Sequence, residues 1–168
     1  MPPHFADRYR FVPGEPSEPI RLPFSSNAFD AVCSVGVLEH VREFDGDEAA
    51  SLTELRRVTR PGGLLICVHL PNRGGWIEAL IEQLRLPGHL HRYRYDMDEV
   101  RSLVESTGWT ILETRRYGVL PRNRMTAILP PVLCNASRFV RGYDTLDEIG
   151  ARLLPMVSQN HFVVARAK

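Results

Sequence analysis

An acid and an imidazole stand side by side at Glu39-His40. They follow closely on a short apolar run, Phe29-Asp30-Ala31-Val32-Cys33-Ser34-Val35. His40 is a candidate base that takes a proton from a nucleophile. The alternative is a histidine that faces solvent or packs a helix. Ser34 and Val35 close the apolar run. If that run is a strand of an open α/β sheet, they lie at its carboxyl end, just where such sheets take ligands. Asp30 opens the same run, where its carboxylate can accept from backbone N–H groups or serve a site. A second group, Trp76, His89, His91, Tyr93 and Tyr95, has a composition suited to stacking on an organic substrate, or to capping a sheet edge. A third region runs from Thr114 to Tyr143 with no acidic residue but with Arg115, Arg116, Arg122, Arg124, Arg138 and Arg141. Its inner stretch, Met125 to Leu133, is apolar and broken by Pro130-Pro131. A basic rim around an apolar patch suits an acidic amphiphile or a membrane surface. An exposed loop with solvated arginines, its apolar part packed on the sheet, is the other reading.

These residues need elements to position them. The run 29–35 is short and mostly apolar, which suits a strand buried on both faces, as in parallel sheets. A helix is expected at about 47–60, with Leu52, Leu55 and Val58 as its stripe. Arg60-Pro61-Gly62-Gly63 ends it. Leu64-Leu65-Ile66-Cys67-Val68 then makes a second strand, and strand, helix, strand closes a right-handed βαβ unit. A second helix covers 75–86, with Ile77, Leu80, Ile81 and Leu84 on one face, and Pro87-Gly88 ends it. The third carries an Asp96-x-x-Glu99 capping box, a Val100, Leu103, Val104 stripe and Gly108 at its end. Strands follow at 109–113 and 161–165. Residues 118–145 give no clear pattern, and a short helix is expected near 146–154. Before all this, residues 1–23 are proline-rich, with one strand candidate, Tyr9-Arg10-Phe11-Val12, ending at Pro13-Gly14.

The 168 residues suffice for one domain, and 43% hydrophobic with 24% charged residues is the balance of a globular chain. Lys plus Arg number 21 against 20 acids, so no basic excess argues for a nucleic-acid partner. Cys33, Cys67 and Cys134 lack metal-like spacing. Cys33 and Cys67 lie in apolar runs and are expected to be buried thiols. No disulfide framework, signal peptide or spanning helix is evident, so the expected location is cytoplasmic.

With these elements in order, the chain resembles the class I S-adenosylmethionine-dependent methyltransferases, and among them the group with a type 11 methyltransferase domain. The likeness rests on Leu22-Pro23-Phe24, Phe29-Asp30-Ala31-Val32, Val37-Leu38-Glu39-His40-Val41, Glu54-Leu55-Arg56-Arg57-Val58 with Arg60-Pro61-Gly62-Gly63, and His91 to Tyr95 with Gly108-Trp109. It covers residues 20–118 well and the tail weakly. It implies an α/β fold: a partial Rossmann-like sheet made of strands 3 to 7 of the family, the last antiparallel, with flanking helices. It also implies a single domain over 1–168 that is incomplete at its N-terminus. Its core would be 20–118, its variable acceptor-side segment 119–158 and its final strand 160–167. The implied cofactor is S-adenosylmethionine and the implied activity methyl transfer to a small-molecule or lipid-like acceptor. By the same likeness, the end of the strand at Ser34 and Val35 lies beside the cofactor's methionine portion. Glu18-Pro19 stands where the family's adenine-binding acid is found, with Gly14-Glu15 as the alternative. Some relatives bind a metal through an acid-rich version of the Leu-Glu-His segment. Here Gly36 and Val37 precede it, so Glu39 and His40 offer two ligands, too few for a defined site, and no metal is expected. No catalytic side chain is assigned, because in-line displacement at an activated methyl group needs positioning above all.

The chain departs from the family at one place. The family holds its cofactor on a glycine-rich turn after strand 1. No Gly-x-Gly occurs here, and only 28 residues precede Phe29. Two βα units and a third strand need roughly 60. The chain is therefore expected to begin just before the third strand, at Tyr9–Val12. Without strands 1 and 2 one edge of the 29–35 strand is bare, and a flat apolar edge is a pairing template. Self-association through it, pairing with a partner segment, or poor solubility is expected. So is a non-catalytic module or partner subunit, as the alternative to an enzyme.

Overall fold

The structure is a computed structural model and describes residues 9–87, 90–121 and 129–168. Its centre is a four-stranded sheet in the order β1-β2-β4-β3. Strand β1 is Phe29–Val35, β2 is Thr59–Pro71, β3 is Trp109–Tyr117 and β4 is Asn160–Ala167. β1 and β2 run parallel, from Ala31 beside Leu64 to Val35 beside Val68. β4 is antiparallel to both its neighbours, inserted between β2 and β3. The sheet is mixed α/β with its last strand antiparallel, as expected.

The crossover from β1 to β2 runs through a 3-10 helix, Leu38–Phe44, and helix α1, Glu48–Val58. Asp47 caps α1, its carboxylate accepting from Ala50 N at 2.7 Å. Helix α2 is Trp76–Leu84 and α3 is Met97–Ser106. The expected capping box of α3 forms on both sides: Glu99 N donates to Asp96 and Asp96 N donates to Glu99. Gly108 follows the helix with φ of +89°, a conformation costly for any residue with a Cβ. Trp109 then enters the core fully buried, its indole N–H donating to Leu52 O at 3.2 Å. Leu52, Leu65, Val100, Val104, Val163 and Ala165 complete that core on one face of the sheet.

Five expectations are corrected. Tyr9–Val12 forms no strand. Among the described residues no neighbouring strand takes its backbone hydrogen bonds. The 29–35 strand is not buried on both faces. It is an edge strand on which Val32 and Ser34 turn inward while Ala31, Cys33 and Val35 are exposed. Hence Cys33 is an exposed thiol, whereas Cys67, one strand inward, is buried as expected and burial pushes its pKa up to about 12. Asp30 accepts no strand N–H bond; it is exposed and pairs with Arg60 at 2.7 Å. Finally, the helix expected near 146–154 is α5, Ser137–Leu153, preceded by a short α4, Pro131–Cys134. Its N-terminal half carries Phe139, Tyr143 and Leu146 at helical spacing, a signal that the shorter expected range leaves out.

The turn Arg60–Gly63 does end α1, by a specific device. Pairing jumps from Phe29 beside Thr59 to Ala31 beside Leu64, so these four residues loop out of the parallel pair. Gly62 adopts φ of +79°. A Cβ on Gly63 would fall 2.8 Å from Asp30 O and 2.6 Å from Thr59 Cγ2.

Candidate functional site

The carboxyl ends of β1 and β2 open onto a cavity of about 400 Å³, inside the size range of small-molecule sites. Its polar lining includes Glu39, His40, His69, Glu78, His91 and Tyr117, with the amides of Gln159 and Asn160. Each comes from a different structural decision. Glu39 and His40 ride on the 3-10 helix that follows Gly36, whose φ of +63° turns the chain off β1. Glu78 lies in the first turn of α2. His91 comes from the segment before α3. His69 sits in a β-bulge between Val68 and Leu70, with φ of +69°. A bulge re-aims a side chain, and strained backbone of this kind concentrates at functional sites.

The groups are wired together. His91 Nδ1 lies 2.6 Å from Glu78 Oε1, and Glu78 Oε2 accepts from His91 N at 3.2 Å. The Glu78 hydrogen bond raises the imidazole's pKa against its partial burial. Burial alone would raise the Glu78 carboxyl, but the hydrogen bond and charge of His91 outweigh it and lower it. His40 Nδ1 lies 3.0 Å from Glu43 Oε2. Glu39 is buried at 3% exposure, and its Oε2 has no hydrogen-bond partner. Burial pushes its carboxyl above the ordinary range, although its own backbone N–H and the nearby imidazoles pull downward. Glu39, His40 and His91 each offer one ligand-capable atom, all within 4.8 Å of one another. The sequence count of two such groups is therefore short by one, since His91 arrives from a segment some fifty residues away in the chain.

The other singled-out residues disperse. Ser34 is buried and Val35 is 51% exposed at the end of β1, beside Gly36 but not in the cavity lining. Glu18 and Pro19 lie on an exposed turn, where Glu18 meets Arg21 at 3.4 Å. Trp76 donates to Val119 O at 2.7 Å. Tyr93 takes Arg42 and Arg92 against its ring. Tyr95 is buried, its hydroxyl donating to Glu48. Of that aromatic group, His91 alone lines the cavity, and His89 lies outside the described residues. Arg115 covers the Phe162 ring at 4.5 Å. Arg122 and Arg124, with residues 125–128 of the apolar stretch, lie outside the described residues. Val132, at its end, is 81% exposed. His69 and Glu78 are site residues that the sequence does not mark. Neither carries a spacing signal: a bulge is not written in composition, and Glu78 reads as an ordinary first-turn acid.

Comparison with known proteins agrees with the fold. Residues 5–67 match the family described as "Methyltransferase domain". A 61-residue stretch is 44% identical to demethylmenaquinone methyltransferase of a Mycobacterium species, covering 36% of this chain and 25% of that protein. A 64-residue stretch is 45% identical to the demethylmenaquinone methyltransferase of Corynebacterium kroppenstedtii, covering 37% and 26%. A SAM-dependent methyltransferase of Thermotoga maritima superposes with a TM-score of 0.54 at 12% identity, over 89% of this chain and 61% of that one. The methyltransferase solved with the Trm112 activator of Haloferax volcanii gives 0.53 at 17% identity, over 87% and 57%. The matches thus span about a quarter of those curated relatives and about three-fifths of those structures. The family match covers 63 of the chain's 168 residues, and the superpositions show a shared fold, a Rossmann-like α/β domain such as S-adenosylmethionine-dependent methyltransferases have.

S-adenosylmethionine, which the description of the Thermotoga protein names, would meet at the end of β1 residues on one side only. Ser34, Val35 and the left-handed Gly36 form a wall at the end of a parallel strand. The Glu18 carboxylate is turned to Arg21, and no Gly-x-Gly turn exists in the sequence. One wall is not a closed cradle. Among the described residues, the enclosed polar chemistry lies in the adjoining cavity.

Proposed function

We propose that this chain serves S-adenosylmethionine-dependent methyl transfer to a small-molecule or lipid-like acceptor. The cofactor would lie against Ser34 and Val35, with Glu18 and Pro19 at its adenine end, and the acceptor would occupy the cavity. The cofactor, when bound, supplies an electrophilic methyl group. The cavity itself carries the reading: one polar-lined pocket at the carboxyl end of a parallel strand pair, where open α/β sheets take ligands. The chain's own residues orient the acceptor and manage its proton. Glu39 and His40 face the pocket as proton acceptors, and the Glu78 carboxylate holds the His91 ring in a fixed orientation beside them. Ile77, Ile81 and Leu120 give it apolar walls that limit water. Calorimetry of this chain with S-adenosylmethionine tests the proposal. Micromolar binding that Val35→Asp weakens supports it, and no heat at millimolar ligand contradicts it.

A second reading is favoured by the open edge of β1. Among the described residues β1 pairs with β2 alone, and Ala31, Cys33 and Val35 are exposed along it. On this reading the chain completes a sheet with another strand, from a second copy or a partner subunit, and does not bind the cofactor alone. Light scattering separates the readings. A monodisperse monomer at high concentration removes the second, and concentration-dependent association together with silent calorimetry favours it.

A further inference from the structure

We propose that Glu39, His40 and His91 bind a divalent transition cation of the Zn²⁺ class. Three observations carry this. First, their ligand-capable atoms already lie within 4.8 Å of one another. In a tetrahedral site with bonds of about 2.1 Å, ligand atoms sit roughly 3.4 Å apart. Rotations of the two partly exposed imidazoles toward the buried Glu39 carboxylate close that difference. Second, Glu39 Oε2 is buried with no hydrogen-bond partner while its residue lines the cavity. Buried carboxylate oxygens otherwise find donors, and a cation satisfies this one. Third, both imidazoles are backed by carboxylates on Nδ1, His40 by Glu43 at 3.0 Å and His91 by Glu78 at 2.6 Å. A carboxylate on Nδ1 holds the proton there and puts the ring lone pair on Nε2. Metal-bound histidines are oriented in just this way, by a carboxylate behind the ring.

The donor set chooses the metal. Two imidazoles and one carboxylate suit Zn²⁺ and its neighbours, whereas Mg²⁺ and Ca²⁺ take oxygen ligands. Three acids, Glu39, Glu43 and Glu78, surround two imidazoles, so the field favours a cation. Three protein ligands leave a fourth position open to the pocket. Binding would require neither the cofactor nor methyl transfer, so it stands or falls separately from the proposed function.

The test is a titration of the metal-stripped full chain with Zn²⁺ by calorimetry, and with Co²⁺ by visible absorption. The expected result is one Zn²⁺ per chain and the visible bands of Co²⁺ at low coordination number. His91→Ala and Glu39→Gln should each weaken binding at least tenfold, while His69→Ala, across the same pocket, leaves it unchanged. Melting curves in chelator show whether each variant is folded, and Glu39→Gln keeps the shape of the side chain if His91→Ala does not fold. No stoichiometric heat and no cobalt bands in the parent chain would overturn the proposal. So would equal affinity in Glu39→Gln, or loss of binding in His69→Ala alone.

Discussion

Tyr95 shows how one hydroxyl can decide a local balance. The Glu48 carboxylate is buried and is held by Arg42 at 2.6 Å on one oxygen and by the Tyr95 hydroxyl on the other. Removing that hydroxyl leaves a buried charged acceptor short of a donor, so Tyr95→Phe should cost about 1–3 kcal/mol in urea unfolding. The Asp96 cap is a smaller case. Asp96→Ala loses the bond to Glu99 N and should cost about 1 kcal/mol. His161 gives a pH signature. It is fully buried, and its Nε2 donates to Tyr95 O at 2.9 Å. Burial lowers its pKa below the ordinary 6.5, with the charge of Arg116 acting in the same direction. The unfolded chain therefore takes the proton first as pH falls. Stability is fully present above 6.5 and declines as pH drops through that value toward the folded one. In unfolding measured from pH 7.5 to 5.5, His161→Gln should lose part of this slope; an unchanged slope would refute the assignment. At this scale the sequence was read unevenly. Asp96 and Glu99 announce their cap by spacing alone. Glu48 looks like any first-turn acid until Tyr95, far along the chain, meets it.

At the scale of elements, periodicity carried the helices and strands whose neighbours are near in sequence. Helices α1, α2 and α3 fall within two residues of the expected bounds because each has a stripe, a cap or a breaker. The Tyr9–Val12 strand failed because a strand is a pairing and not a propensity. The bulge at His69 was invisible, since it exists only where β2 meets β4 out of register. The loop-out at Arg60–Gly63 can be tested as an element. Gly63→Ala drives a Cβ into Asp30 O and Thr59 Cγ2, so it should cost about 1–3 kcal/mol. A Cβ on Gly62 meets open space and bears only its positive φ, so Gly62→Ala should cost about 1 kcal/mol. Urea melts that rank Gly62→Ala as the more damaging would contradict the observed register.

At the scale of the molecule, three elements that share no local sequence converge on one cavity: the 3-10 helix after β1, the start of α2 and the segment before α3. Sequence reading placed Ser34, Val35 and His40 near the end of a strand, because fold-level order was legible. It did not gather His69, Glu78 and His91 around them, because that requires the crossover to be closed in space. No described helix is long and apolar enough to cross a membrane. The account rests on the carboxyl end of β1 being a platform for the cofactor. The most direct measurement is a two-dimensional amide NMR titration of the labelled chain with S-adenosylmethionine. The account predicts saturable shifts centred on Ser34, Val35 and Gly36 that extend to Glu18. Shifts scattered over the surface, or none at millimolar ligand, would contradict it.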